Sequence, residues 1–299
     1  MSATSAAVVQ RPLPKIENVL FPTDFSQCSQ AALPYACLLA EQNHAKLHLL
    51  NVVSTSLPLG EAGVSYAEPA FEDEAARRDL QRLTEFPAVK AVTHETSIHH
   101  GSVYDVVCRY ARENKDDIIV MGTHGRHGVR QLVLGSVAEQ VFRRSECPVL
   151  SIGPGAPKTG PANGRFATIL VALDLSPDSL RLADWAHLFA VTNQSRLILF
   201  HAIHENAEVS MAYPNYIEDA VASARKAMSA LLPKDVPWTD IAIKIGSAPD
   251  SILETAIDRN VDLIVIGARR GATMAAHTPW ACAHEIVCAS HCPVLTVRH

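Results

Sequence analysis

Asp117-Ile118-Ile119-Val120-Met121-Gly122-Thr123-His124-Gly125, then nine residues, then Gly135-Ser136 opening a helical segment, is the stretch whose reading decides the fold. Ile118 to Met121 is an apolar run without alternation, as in a central strand covered by helices on both faces. Glycine after such a strand lets the backbone approach a bulky anion and take positive φ. Amides without partners at the helix start near Ser136 supply donors and the positive end of a dipole. The geometry suits a di- or triphosphate.

Working outward, the same strand recurs as Asp262-Leu263-Ile264-Val265-Ile266-Gly267, 145 residues on. Gly101-Ser102 returns as Gly246-Ser247, and Cys147-Pro148-Val149-Leu150 as Cys292-Pro293-Val294-Leu295, at that same offset. Nearer the amino terminus the offset is 150: Asn18 to Ser26 matches Thr168 to Ser176, and Leu47 to Val53 matches Leu197 to Ile203. The five-residue difference falls between the second strand and the Gly101 turn, in an irregular stretch with Pro58, Gly60, Gly63 and Pro69 that can shorten without cutting a core element. The chain is therefore a tandem repeat.

In each copy short β-branched runs alternate with amphipathic segments of helical length, the pattern of βαβ units around a parallel sheet. The first copy predicts strands near 17–22, 47–53, 92–98, 117–122 and 148–152, with helices near 27–43, 71–85, 103–114 and 136–144. In open parallel sheets ligands bind beyond the carboxyl ends of the strands, where the winding reverses, so Asp24 and Gly122 belong on one rim. We expect a flexible arm over 1–15, one domain over 16–153, a Gly- and Pro-rich linker over 154–165 and a second domain over 166–299. Duplicated domains that descend from a symmetric dimer keep that contact internally, so the lobes should pack as a pseudo-dimer.

With 299 residues, 48% of them hydrophobic and 19% charged, the chain is long enough for two cores and too apolar for disorder. A formal net charge of -5 offers no global positive field, which argues against nucleic acid and anionic lipid as partners. The apolar runs are strand-sized, short of the about eighteen residues of a membrane helix, and the first fifteen residues do not read as a secretory signal. The seven cysteines are an odd number without a disulfide-style spacing, which suits a reducing cytoplasm.

The spacing Gly122-x-x-Gly125-x9-Gly135-Ser136, with a first strand ending in Asp24 and a closing Cys-Pro-Val-Leu strand, resembles the signature of ATP-binding universal stress proteins, and the likeness runs through both copies. It implies an α/β fold of two tandem Rossmann-like domains of the adenine nucleotide alpha hydrolase type, each a five-stranded parallel sheet flanked by helices. It also implies ATP, with Mg2+ bridging phosphate oxygens. By the same resemblance Pro22, Thr23 and Asp24 border the adenosine, and Val52 offers backbone to adenine. Met121, Gly122, Gly125, Gly135 and Ser136 contact ribose and phosphates, with Val137 next along the helix. Arg126 and His127 lie in the variable loop, where phosphate contact and solvated loop charge are both open. For Asp24 helix capping is the alternative, and for Gly122 and Gly125 a tight turn without ligand.

In the second copy Gly267 persists, but Gly125 maps to Arg270, Gly135 to Trp280 and Ser136 to Ala281. A tryptophan where phosphate must approach amides fills the space, so no ATP is expected there. Gly271 lies one residue late, Asp174 persists, and Arg269 and Arg270 read as exposed loop charge.

Cys282, His284, Cys288, His291 and Cys292 cluster near the end, yet Cys292 has a counterpart in Cys147 and no Cys-x-x-Cys occurs, so buried thiols are favoured over zinc. His99-His100 reads as strand end plus turn. Neither a P-loop nor a Gly-x-Ser-x-Gly elbow is present, and no catalytic base is evident. The sequence points to a cytoplasmic stress-response binding protein whose ligand state alters contacts with unknown protein partners, with further homodimerisation open. A slow ATPase and a ligand-independent scaffold are the alternatives.

Overall fold

The computed structural model describes residues 12–54, 69–124, 134–177, 179–205, 211–233, 235–268 and 279–298. The first lobe runs β1 (Asn18–Thr23), α1 (Gln27–Asn43), β2 (Lys46–Val53), α2 (Pro69–Thr84), α3 (Pro87–Lys90), β3 (His94–His100), α4 (Val103–Glu113), β4 (Ile118–Gly122), α5 (Ser136–Arg144) and β5 (Val149–Ile152). A 3-10 turn at Ala162–Gly164 leads to β6 (Thr168–Ala172), α6 (Ser179–Asn193), β7 (Arg196–Ile203), α7 (Tyr216–Ser229), β8 (Thr239–Ile245), α8 (Ala248–Asp258), β9 (Leu263–Ala268), α9 (Pro279–Ala289) and β10 (Val294–Arg298). The expected five strands per lobe are present. The third begins at His94 rather than 92, because Val92 N still closes a turn on Val89 O at 3.2 Å.

Each half-sheet is parallel, as expected, but the halves form one ten-stranded sheet in the order β3-β2-β1-β4-β5-β10-β9-β6-β7-β8. The joint is antiparallel, with Leu295 of β10 opposite Leu150 of β5. The two lobes therefore meet edge to edge across a pseudo-twofold axis, and neither β5 nor β10 is left as an open edge. Helices cover both faces over two apolar clusters that each draw on both lobes. Tyr35 of α1 stacks on Phe166 at 6.2 Å between ring centroids and donates its hydroxyl to Pro157 O at 2.8 Å. Arg298 of β10 donates to Ser145 O at 3.1 Å, tying the last strand back to the first lobe.

The repeat extends to backbone detail. Among the described residues, all the non-glycine residues with positive φ except Asn163 in the linker come in pairs at the two offsets: Phe25 and Leu175, His44 and Gln194, Lys115 and Asn260. His44, at φ 53, ends α1 in the left-handed conformation, which L side chains enter at a cost. Their repetition marks these as requirements of the fold, because strain persists only where the surroundings impose it.

On the amino-terminal side of the first half-sheet, away from the rim, His48 Nδ1 meets Asp116 Oδ1 at 2.7 Å, both side chains being almost fully buried. Burial pushes the Asp116 carboxyl above its ordinary range, the hydrogen bond from His48 opposing this. Asp116 Oδ2 has no partner among the described residues. Among these residues no helix is long and apolar enough to cross a membrane.

Candidate functional site

In the first half-sheet β1 lies between β2 and β4, so the chain winds outward in opposite directions from this pair. The crevice beyond the carboxyl ends of β1 and β4 is the position that open α/β sheets use for ligands. The structure brings Pro22, Thr23, Asp24, Met121, Gly122, Gly135, Ser136 and Val137 to this end of the sheet, with Val52 on the adjoining strand. Gly125, Arg126 and His127 lie outside the described residues.

The floor of the crevice is built from β1. Thr23 is buried, its hydroxyl paired with Ser29 Oγ at 3.0 Å and accepting from Phe25 N at 3.0 Å, while its carbonyl accepts from Asn51 Nδ2 at 2.8 Å. These contacts fix the bend at Phe25, whose φ is 62°. Asp24 Oδ1 accepts from Ser26 N at 3.0 Å, and Ser26 in turn caps α1 through Ser29 N at 3.2 Å. The capping role of Asp24 is thus present, one step removed from the helix. Asp174 does the same work in the second lobe, accepting from Ser176 N at 3.0 Å and from the Ser179 hydroxyl at 2.8 Å. That shared duty is a structural reason for an aspartate at both positions.

Gly122 has a packing reason of its own. A Cβ there would stand 2.6 Å from Cys28 O and 2.8 Å from Cys28 C, inside the first turn of α1. The end of β4 crosses α1 so closely that only glycine fits, as in nucleotide folds where a glycine permits helix–strand contact. Met121 is buried in the core, so only its backbone faces the rim. Val52 and Val137 are half-buried and pack on the same cluster.

The phosphate side is framed by two hydrogen bonds. Thr123 N donates to Ile152 O at 3.1 Å, and Gly135 N donates to Thr123 O at 2.8 Å, so the segment between Thr123 and Gly135 starts and ends at one point. Gly135 is the N-cap of α5 and offers no side-chain cap, in contrast to Ser26 on α1. The first amides of α5 lack the internal partners that later turns provide, and exposed Ser136 stands at that opening. An uncapped helix start beside a strand that ends in glycine is a place where anionic oxygens satisfy backbone donors.

His124 was not singled out from sequence. Its Nδ1 lies 2.8 Å from Thr123 Oγ1, while its buried Nε2 has no partner among the described residues. The signal was a histidine between Gly122 and Gly125, hidden because the glycine spacing absorbs it as a variable position. On the second lobe the Cys288 thiol of α9 lies 3.8 Å from His284 Nε2, and the Leu134 backbone acts to lower its pKa. Burial nonetheless pushes that thiol up, and it carries Cys282 to about 11 and Cys147 and Cys292 to about 12. Among the described residues no group of three or more His, Cys, Asp or Glu side chains is placed to hold a metal ion.

Comparison with known proteins gives one answer. The Universal stress protein family model matches residues 15–152 and again 165–298. A universal stress protein of Methanocaldococcus jannaschii is 30% identical over 138 residues, covering 46% of this chain and 81% of that protein. One from Bacillus subtilis is 32% identical over 146 residues, covering 45% of this chain and 97% of its own length. The crystal structure of a universal stress protein from Archaeoglobus fulgidus superposes with a TM-score of 0.70 at 19% identity, over 94% of this chain and 98% of that one, so the whole two-lobed fold is shared. With the family matched twice over nearly its full length, on a sheet whose halves repeat one another down to their strained residues, the chain belongs to the universal stress protein family.

Proposed function

We propose that the first lobe holds ATP across the carboxyl ends of β1 and β4, and that the protein acts as a nucleotide-dependent binding protein in the cytoplasm rather than as a catalyst. The supporting observation is the open amino terminus of α5, with Gly135 at its cap position and the spacing Gly122-x-x-Gly125-x9-Gly135-Ser136 leading to it. In this reading the polyphosphate accepts from the amides that follow Gly135 and from the Ser136 hydroxyl. Thr23, Asp24 and the Val52 backbone border the adenosine. Arg126 and His127 would offset its charge, together with the Mg2+ that accompanies the nucleotide.

The residues fit the group: the cap is a glycine, the helix start is exposed and the buried His124 Nε2 is available as a further polar atom. Bound nucleotide would supply negative charge at the start of α5. In this reading His124 contributes a polar contact rather than a base, and the ligand serves as a state marker whose presence alters contacts with other proteins.

Mass spectrometry of ligand released from freshly purified protein, followed by titration of stripped protein with MgATP, tests this. One adenine nucleotide per chain is expected, lost on Gly135→Trp. Two per chain contradicts the asymmetry between lobes, and none, with no binding on titration, overturns the proposal in favour of a ligand-independent scaffold.

A further inference from the structure

The two outer edges of the ten-stranded sheet differ in kind. β3, at one end, reads His-Glu-Thr-Ser-Ile-His-His, a polar edge carrying the Lys46–Glu95 ion pair. β8, at the other, reads Thr-Asp-Ile-Ala-Ile-Lys-Ile, with Trp238 before it 64% exposed and Ile245 at its end 49% exposed. Polar and charged edges are how soluble proteins block strand addition, and β8 is the more apolar edge, with Ile241, Ala242, Ile243 and Ile245 between and beside Asp240 and Lys244.

Its backbone fixes which groups are open. Leu197 N donates to Trp238 O at 3.0 Å and Gly246 N donates to Ile203 O at 2.9 Å, so even-numbered residues of β8 face β7. The N–H and C=O of Thr239, Ile241, Ile243 and Ile245 therefore point away from the sheet. The Ile241 amide is taken by a side chain, Asp240 Oδ1 at 2.9 Å.

We propose that the β8 edge is a self-association surface on which a second copy of this chain adds its own β8, antiparallel, across a twofold axis at Ala242. A twofold pairing must match outward residues with outward residues, which permits axes only at Ile241, Ala242 or Ile243 for long overlaps. The axis at Ala242 alone overlaps all seven residues of the strand, Thr239 to Ile245. In that register Ile241 faces Ile243 of the other copy and Thr239 faces Ile245. Asp240 comes opposite Lys244, and Lys244 opposite Asp240, in the non-hydrogen-bonded positions where side chains approach most closely.

The strand is thus complementary in charge to its own reverse, which neither neighbouring axis achieves, since each sets one of these charges against Ala242. Trp238 falls opposite Gly246, which has no side chain to obstruct it. Within the chain Asp240 Oδ2 is held by Arg196 at 3.0 Å and Arg259 at 3.4 Å, and Lys244 by Glu254 at 2.7 Å. Docking adds the reciprocal pair to this existing network, while Asp240 Oδ1 gives up the Ile241 amide to the incoming strand. The resulting seam continues the sheet just as the antiparallel β5–β10 joint does inside the chain.

Sedimentation equilibrium of the full chain tests this. A reversible dimer that weakens with added salt is expected. Ile243→Pro removes an outward amide without touching the β7 ladder, and should weaken dimerisation at least about tenfold with an unchanged far-UV circular dichroism spectrum. Asp240→Lys and Lys244→Glu, each alone, place like charges in register and should also weaken it at least about tenfold. Mixed in equal amounts they become complementary to each other, and a heterodimer should form. A wild type that stays monomeric at its solubility limit, a dimer indifferent to Ile243→Pro, or folded charge variants that fail to pair on mixing would each overturn the proposal.

Discussion

The two lobes solve one folding problem with different chemistry at both ends of the sheet. At the rim the first lobe opens α5 with Gly135-Ser136, whereas the second carries Trp280-Ala281 at the equivalent positions, within α9, which begins at Pro279. On the opposite side the first lobe buries His48 against Asp116, whereas the second places Ile198 and Val261 there, 1% and 2% exposed. Between these ends the strained turns at Phe25 and Leu175, and the aspartates that accept from Ser26 and Ser176, are the same. What repeats is what the backbone requires, and what differs is free to carry function or history.

The sharpest way to break the comparison is to move the second lobe's solution into the first. His48→Ile alone leaves a buried carboxylate without its partner, and should cost about 3–5 kcal/mol at neutral pH by denaturant unfolding. His48→Ile with Asp116→Val reproduces the apolar pair, and should fall within about 1 kcal/mol of wild type or above it. Near-additive losses in the double variant would show that the lobes do not share packing at this level.

At the rim, Gly125→Arg with Gly135→Trp installs the second lobe's residues in the first. Loss of amide contacts and of space should lower MgATP affinity about 100-fold, near 2.7 kcal/mol, by isothermal titration, with thermal stability of the stripped protein little changed. Unaltered affinity would remove the physical basis for assigning nucleotide to this lobe. Gly122→Ala separates fold from ligand at a neighbouring position. The added Cβ meets the Cys28 carbonyl, which belongs to backbone and cannot rotate away, so a loss of about 1–3 kcal/mol is expected even without nucleotide. An alanine variant of native stability would return Gly122 to a role at the ligand alone.

Much of this was legible in the sequence because it is local or repeated. The offsets of 150 and 145 located the matching strands, and the apolar run Ile118 to Met121 announced a central strand. The joint between β5 and β10 was not legible as an antiparallel pair, since strand addition at an edge depends on backbone groups that carry no residue signature. His48 and Asp116 escaped for a similar reason: they stand 68 residues apart and meet only once β2 and β4 flank β1. For Gly122 two readings are open from sequence, ligand approach and turn. The further cause, contact with Cys28, depends on the path of α1.

The smallest expected effect concerns pH and tests the His48–Asp116 pair in another way. Burial raises the Asp116 carboxyl above its ordinary 3.8, so the folded chain binds that proton more tightly than the unfolded chain. A group of this kind contributes its full share of stability below the ordinary carboxylate pKa, and that share declines as pH rises through the folded value. The double variant His48→Ile, Asp116→Val lacks the group. The stability of wild type relative to the double variant should therefore fall from acid towards neutral pH, across a window that opens near 3.8 and ends above the raised value. Urea midpoints of both proteins measured through this range give the comparison directly, because titrations common to both cancel. Parallel curves would mean that Asp116 titrates alike folded and unfolded, and a widening advantage of wild type with pH would mean that His48 more than offsets the burial of its carboxylate.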